Sequence, residues 1–166
     1  MTALVTGASG FVGSAVLRHL VEAGEAVRVL MRDASNRDNI AGIDCEVATG
    51  DLTDAQSLSR AVKGCDVVFH VAADYRLWVA DPSVMYRANV DGTRNLLLAA
   101  ADAGAGRIVY TSSVAAIGYN SDGSPGTEKT IATVADMIGH YKRSKFLAEA
   151  EAVRLAAEES VPVVTV

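Results

Sequence analysis

The chain has 166 residues, half of them hydrophobic and 21% charged, which fits one ordered domain with a sizeable core and excludes a disordered or fibrous protein. Its net charge of −5 and pI near 5.1 exclude the broad basic face that nucleic acid requires, so no nucleic-acid partner is expected. No apolar run is long enough to span a bilayer. The first strand starts by residue 3, which leaves no room for a signal peptide, so a cytoplasmic location is expected.

Strand-like apolar runs alternate with helical patterns. Ala3–Thr6 reads as the first strand. Residues 6–13, TGASGFVG, follow directly, with glycine at 7, 10 and 13 where strand gives way to helix. Such a turn suits a dinucleotide phosphate. Gly7 permits the tight turn, Gly10 lets the backbone approach the pyrophosphate, and Gly13 lets the helix pack closely on the sheet. The helix N-terminus adds free N–H groups and partial positive charge. That helix is expected over Phe11–Ala23, with Val12, Val16, Leu20 and Ala23 near its inner face, closed by Gly24.

Ala26–Met31 reads as the second strand, Ser35–Asn39 as a turn or one helical turn and Asp44–Thr49 as the third strand. Thr53–Lys63 reads as a helix, with Thr53 as N-cap and Gln56 as its capping-box partner, closed by Gly64. Asp66–His70 is the fourth strand. A long helix is expected from Pro82 through Ala103, ended by Gly104. Arg107–Ser112 is the fifth strand, followed by a loop holding Asn120, Gly123, Pro125 and Gly126. Met137–Glu159 is the last helix, and Val161–Val166 begins a sixth strand.

The strands are apolar throughout and lack clean alternation, as parallel strands covered on both faces do. Strand–helix repetition with right-handed crossovers gives an α/β fold with a doubly wound parallel sheet. The expected order is 3-2-1-4-5-6, with a ligand crevice beyond the carboxyl ends of strands 1 and 4. The sequence stops inside a buried-type strand, so it is expected to be the N-terminal part of a longer protein. Cys45 and Cys65 make no metal-ligand pattern and read as small buried thiols; no metal site is expected.

Tyr141-Lys142-Arg143-Ser144-Lys145 opens the last helix, which puts Tyr141 and Lys145 on one face, a turn apart. A phenol with an ordinary pKa of about 10 is a poor acid–base group at neutral pH. A nearby ammonium favours the phenolate, and a shift to about 7 requires about 4 kcal/mol. Thr111-Ser112-Ser113 closes the fifth strand, where a doubly wound fold exposes its crevice. A serine hydroxyl there is placed to hydrogen-bond a substrate carbonyl or alcohol oxygen. Ser113, Tyr141 and Lys145 together suit carbonyl–alcohol interconversion with a nicotinamide cofactor.

The motif set resembles the extended short-chain dehydrogenase/reductases, of the NAD-dependent epimerase/dehydratase family. TGASGFVG, Asp51-Leu52, HVAA at 70–73, NVDGT at 89–93, TSS at 111–113 and YKRSK at 141–145 occur in the family's order across the whole chain. Longer stretches resemble hopanoid-associated sugar epimerases and dihydroflavonol 4-reductases: HVAADYRLW (70–78), YRANVDGTRNLL (86–97) and MIGHYKRSKFLAE (137–149). The resemblance implies a Rossmann domain over 1–166, completed by a small C-terminal substrate domain. It implies that Gly7, Gly10, Phe11, Val12 and Gly13 hold the pyrophosphate. Asp51 accepts from the adenine amino group beside Leu52, and Ala72, Ala73 and Thr111 line the cofactor. Asn89 supports the loop after strand four. Ser113 polarises the substrate oxygen, Tyr141 is the acid/base, and Lys145 binds the nicotinamide ribose and tunes Tyr141. It also implies a homodimer through the helices at 82–103 and 137–159.

NAD-preferring relatives carry an acid at the end of the second strand. Met31 stands there, and Arg32 follows as in the NADP-using reductases, with Arg37 as an auxiliary. NADP is therefore the expected cofactor, with NAD kept open by Asp33. His70 reads as a satisfied strand-end histidine, His140 as pointing away from the site, and His19 as solvated. Tyr75, Arg76 and Trp78 read either as the mouth of the substrate pocket or as ordinary loop. The charges of Glu149–Glu159 read as a solvated helix face. The leading expectation is a sugar epimerase/dehydratase acting on a small-molecule substrate. The alternatives are an NADPH-dependent ketone or aldehyde reductase, and a non-catalytic dinucleotide sensor, which would be expected to lack Tyr141 or Lys145.

Overall fold

A computed structural model describes residues 1–166. Six parallel strands form one sheet in the order β3-β2-β1-β4-β5-β6. They are β1 (Thr2–Thr6), β2 (Ala26–Met31), β3 (Glu46–Thr49), β4 (Val67–His70), β5 (Arg107–Tyr110) and β6 (Val163–Thr165). The helices are α1 (Phe11–Glu22), α2 (Ala55–Val62), α3 (Pro82–Tyr86), α4 (Gly92–Asp102) and α5 (Gly139–Glu158). One face of the sheet packs on α1, where Leu17 and Leu20 meet Val5, Val29 and Met31. The other face packs on α2, α4 and α5, where Leu58, Leu96, Leu97, Ala148 and Leu155 meet Leu4, Val68 and Ile108. Both faces of β1 are thus buried, which is why its sequence is apolar without alternation.

Several local expectations differ from the structure. The buried face of α1 is Gly13, Ser14, Leu17 and Leu20, whereas Val12 is exposed. Close packing of Gly13 against the turn sets the helix rotation and carries Leu17, rather than Val12, onto the sheet, with Val16 half-buried at the edge of the same face. Asp54, not Thr53, caps α2: its carboxylate accepts from Gln56 N–H and Ser57 N–H. Thr53 instead gives both its N–H and O–H to Asp51 Oδ1. The long helix after β4 is broken by a π turn at Arg87–Asp91, between α3 and α4. Gly139 takes φ +83°, which stops α5 from extending back to Met137. Cys65 is buried, but Cys45 is only half-buried. No helix is long and apolar enough to cross a membrane.

Candidate active site

The glycine turn lies at the carboxyl end of β1. Gly7 has φ +77°, and a Cβ there would come within 2.8 Å of Ala72 N. A Cβ on Gly13 would sit 2.1 Å from Gly7 O, so helix and turn are in backbone contact. Gly10 differs: a Cβ would meet only Gly7 O, at 3.3 Å, and the residue is exposed. The protein's own packing therefore scarcely requires glycine at 10. Its bare backbone leaves an open approach to the start of α1. That start has no side-chain cap and no acidic residue in its first turn, and Phe11 is 89% exposed. The N–H groups at the head of α1 remain available to an anion. A dinucleotide pyrophosphate fits this cradle.

The neighbouring strand ends carry the other candidate cofactor contacts. Asp51 is half-buried. Burial raises its pKa, but the Thr53 bonds and the nearby Arg32 charge outweigh this and bring it below the ordinary carboxylate value. One carboxylate oxygen is committed to Thr53; the other is left for a ligand. Leu52 packs against Gly92 at the start of α4, where a Cβ would approach Leu52 Cβ to 2.7 Å. Met31 is buried in the core, so Arg32 is the first exposed residue after β2. Arg32 also acts on Asp74, whose pKa is lowered first by its hydrogen bonds to Arg76. Ala72 and Ala73 are half-buried in the loop after β4. Asn89, inside the π turn, clamps that loop. Its amide oxygen accepts from Asp74 N–H at 2.7 Å, and its amide nitrogen donates to Asp74 O and to Ser144 Oγ, both at 2.9 Å. The bulge turns this side chain inward, in keeping with the functional use of π turns. Tyr75, Leu77 and Trp78 stand exposed beyond the clamp.

The third group comes from β5 and α5. Ser113 caps the short turn Val114–Ala116, accepting from Ala115 N–H at 3.1 Å. Its own proton stays free to donate. α5 packs against this turn, so Ser113 and the first turns of α5 lie at the same end of the molecule. Tyr141 is half-buried there, close enough to Tyr110 to raise that residue's pKa. Lys145 is only 3% exposed. Its Nζ donates to Tyr110 Oη at 2.8 Å and to Thr111 O at 2.9 Å, and neither bond goes to Tyr141. Burial lowers its pKa to about 8, opposed by the Glu149 carboxylate. Two of its three N–H groups are therefore placed, and the third is free.

Behind the lysine runs a buried polar chain. Thr93 O–H donates to Asn89 O at 2.6 Å, so Thr93 Oγ1 accepts from His70 Nε2, 2.9 Å away. That tautomer makes His70 Nδ1 the acceptor for the Thr6 hydroxyl at 2.8 Å. Thr6 Oγ1 in turn accepts from Val71 N–H and Ala72 N–H. Burial, with the Lys145 charge, lowers the His70 pKa to about 3. His70 is thus the satisfied strand-end histidine expected of it. His140 meets Tyr86 Oη at 3.2 Å, and His19 is exposed.

Sequence reasoning missed three participants. Tyr110 reads as an ordinary strand residue, Thr93 as a helix residue, and Glu149 as solvated. Glu149 instead accepts from Ser112 Oγ. Only the rest of the expected charged face is solvated, where Arg154 bonds Glu151, Glu158 and Glu159. The signal for Glu149 was its spacing, one helical turn beyond Lys145.

A doubly wound sheet with an anion cradle after β1 and a Ser–Tyr–Lys set at the same end defines a dinucleotide-binding protein of the short-chain dehydrogenase/reductase type. Residues 3–166 match the family described as NAD dependent epimerase/dehydratase, and the chain belongs to that family. It is 47% identical to a putative dihydroflavonol 4-reductase from Synechocystis, over 93% of this chain and 45% of that protein. It superposes on the crystal structure of gox2253 with TM-score 0.93 and 54% identity, covering 99% of this chain and 50% of that one. It superposes on a dTDP-glucose 4,6-dehydratase from Streptomyces venezuelae, solved with NAD bound, with TM-score 0.87 and 32% identity, covering 99% of this chain and 54% of that one. The chain thus spans about half the length of these relatives.

Proposed function

We propose that the protein is a nicotinamide-dependent oxidoreductase-type enzyme that interconverts a carbonyl and an alcohol on a small-molecule substrate. The observation that carries this reading is the gathering, at one end of the sheet, of the open cradle at Gly10, Ser113 after β5, and Tyr141 and Lys145 on the first turns of α5. When bound, the dinucleotide supplies or accepts hydride at the substrate carbon. Gly7, Gly10 and Gly13, with the N–H groups of Phe11 and Val12, hold the pyrophosphate. Asp51 takes the adenine amino group on its free oxygen, beside Leu52. Ala72, Ala73 and Thr111 line the cofactor. Ser113 donates its proton to the substrate oxygen. Tyr141 gives or takes the proton of that oxygen. Lys145, one turn from Tyr141 on the same helix, holds the nicotinamide ribose with its third N–H.

Two forms of the reaction use these same residues. The first is epimerisation or dehydration of a sugar, nucleotide-linked in the first instance, in which the cofactor ends in its starting redox state. The second is reduction of a ketone or aldehyde at the expense of NADPH. Burial of Met31 and exposure of Arg32 favour the second, because a guanidinium at the strand end suits a 2′-phosphate. On the same ground NADP is the preferred cofactor, with NAD as the alternative. A cytoplasmic location and a homodimer through the helices at 82–103 and 137–159 complete the proposal.

Absorbance of NADPH separates the forms when the full-length protein is incubated with a panel of ketones, aldehydes and nucleotide sugars. Stoichiometric loss of NADPH supports the reductase. Conversion of a sugar with no net loss supports the epimerase/dehydratase. Saturable binding of NADPH or NADH with no turnover of any panel member, and no effect of Tyr141→Phe on binding, would leave only the sensor reading.

A further inference from the structure

The polar chain behind Lys145 has no part in the chemistry described above, yet it is almost entirely buried. His70 and Thr93 are buried, and Tyr110 is 1% exposed. A buried phenol in a strand usually offers bulk. Here its oxygen accepts from Lys145 Nζ at 2.8 Å, and the ammonium also lies 4.5 Å from the ring centroid. The cation therefore meets both the oxygen and the ring of a single side chain. Thr93 spends its only proton on Asn89 O. Tyr110 pairs in register with His70 across β4 and β5, and the two rings sit 5.6 Å apart. Lys145 thus donates to the Tyr110 oxygen, while Thr93 donates to the Asn89 carbonyl. Asn89 is the residue that clamps the loop after β4.

We propose that Tyr110 is a positioning residue: its phenol oxygen fixes the Lys145 ammonium in one rotamer. The placement rests on the proposed pairing of Lys145 with Tyr141 and deepens it. Lys145 has a long, rotamer-rich side chain, and a buried site must supply acceptors to hold it charged. Thr111 O supplies one acceptor and Tyr110 the other. The remaining titratable groups acting on the ammonium are neutral His70 from β4 and the Glu149 carboxylate on α5. Neither of these hydrogen-bonds it.

The test is an NMR titration of the full-length protein labelled with [13Cε]lysine, without cofactor or substrate, with the Lys145 signal assigned by Lys145→Arg. Tyr110→Phe keeps the ring and removes the acceptor. The Lys145 titration is expected to move down by about one unit or more, since an ammonium loses a hydrogen bond in a site without water to replace it. A Lys145 that titrates within about 0.3 unit of the parent protein overturns the proposal. Tyr110→Met, which fills the space without an oxygen, is read in the same way and stands in if the phenylalanine variant does not fold. A downward shift supports the proposal, and an unmoved Lys145 overturns it. Because this titration involves no turnover, its failure is separate from failure of the catalytic reading, which would show as unchanged turnover in Tyr141→Phe.

Discussion

Lys145 is a buried cation that the fold tolerates at a cost. Its lowered pKa means that the folded chain holds that proton less tightly than the unfolded chain does. The penalty is therefore complete below about pH 8 and fades as pH rises toward the ordinary lysine value of 10.5. Lys145→Met is expected to stabilise the cofactor-free protein by about 1–2 kcal/mol at neutral pH, with the gain shrinking above pH 8. Urea denaturation across that range checks it; a variant less stable at pH 7 contradicts it. Arg32 makes a second prediction at this scale. Arg32→Ser is expected to weaken NADPH binding about tenfold or more while leaving NADH within about twofold, measured by fluorescence titration of both cofactors at one salt concentration. Tyr141 and Lys145 were legible in the sequence because their spacing on a helix is a local fact. The Tyr110–Lys145 bond was not. It depends on strand register, on where α5 sits over β5, and on which way one side chain turns, and none of these is written in the four residues RIVY.

At the scale of elements, the three glycines of the turn do different work, although the sequence presents them as one motif. Gly13 is demanded by packing, because its Cβ would penetrate the Gly7 carbonyl. Gly13→Ala is expected to destabilise the fold by about 3 kcal/mol or more. Gly10 is exposed, and a Cβ there would meet only Gly7 O, at 3.3 Å. Gly10→Ala is expected to keep stability within about 1 kcal/mol of the parent while cofactor affinity falls at least about tenfold. Thermal melts and cofactor titrations of the two variants separate these roles; equal losses of stability in both would refute the division. Periodicity found α1 and its inner residues Val16 and Leu20, but it also placed Val12 there and left out Leu17. A tight glycine contact at one end rotates the whole helix, and hydropathy does not report rotation. The long helix after β4 was likewise found, but its π turn was not. Residues 87–91 are ordinary helix formers, and the bulge is held by what Asn89 reaches on the β4 loop and on α5.

At the scale of the molecule, the sheet order was legible because alternation of strand and helix, right-handed crossovers and a glycine turn after the first strand leave few topologies. The same topology brings residues 7–13, 51–52, 72–73, 111–113 and 141–145 to one end, although they are dispersed through the sequence. What the order does not convey is the filling between them: the Thr6–His70–Thr93 chain and the Glu149–Ser112 contact, which tie β1, β4, α4, β5 and α5 into one frame around the site. The central claim is that this end of the sheet is built for proton transfer by Tyr141 to or from a substrate oxygen. Turnover and NADPH affinity measured side by side in the full-length Tyr141→Phe variant test it most directly. The account predicts turnover lowered by about a hundredfold or more, with cofactor affinity within about threefold of the parent. Undiminished turnover, or an equal collapse of turnover and affinity, would contradict it.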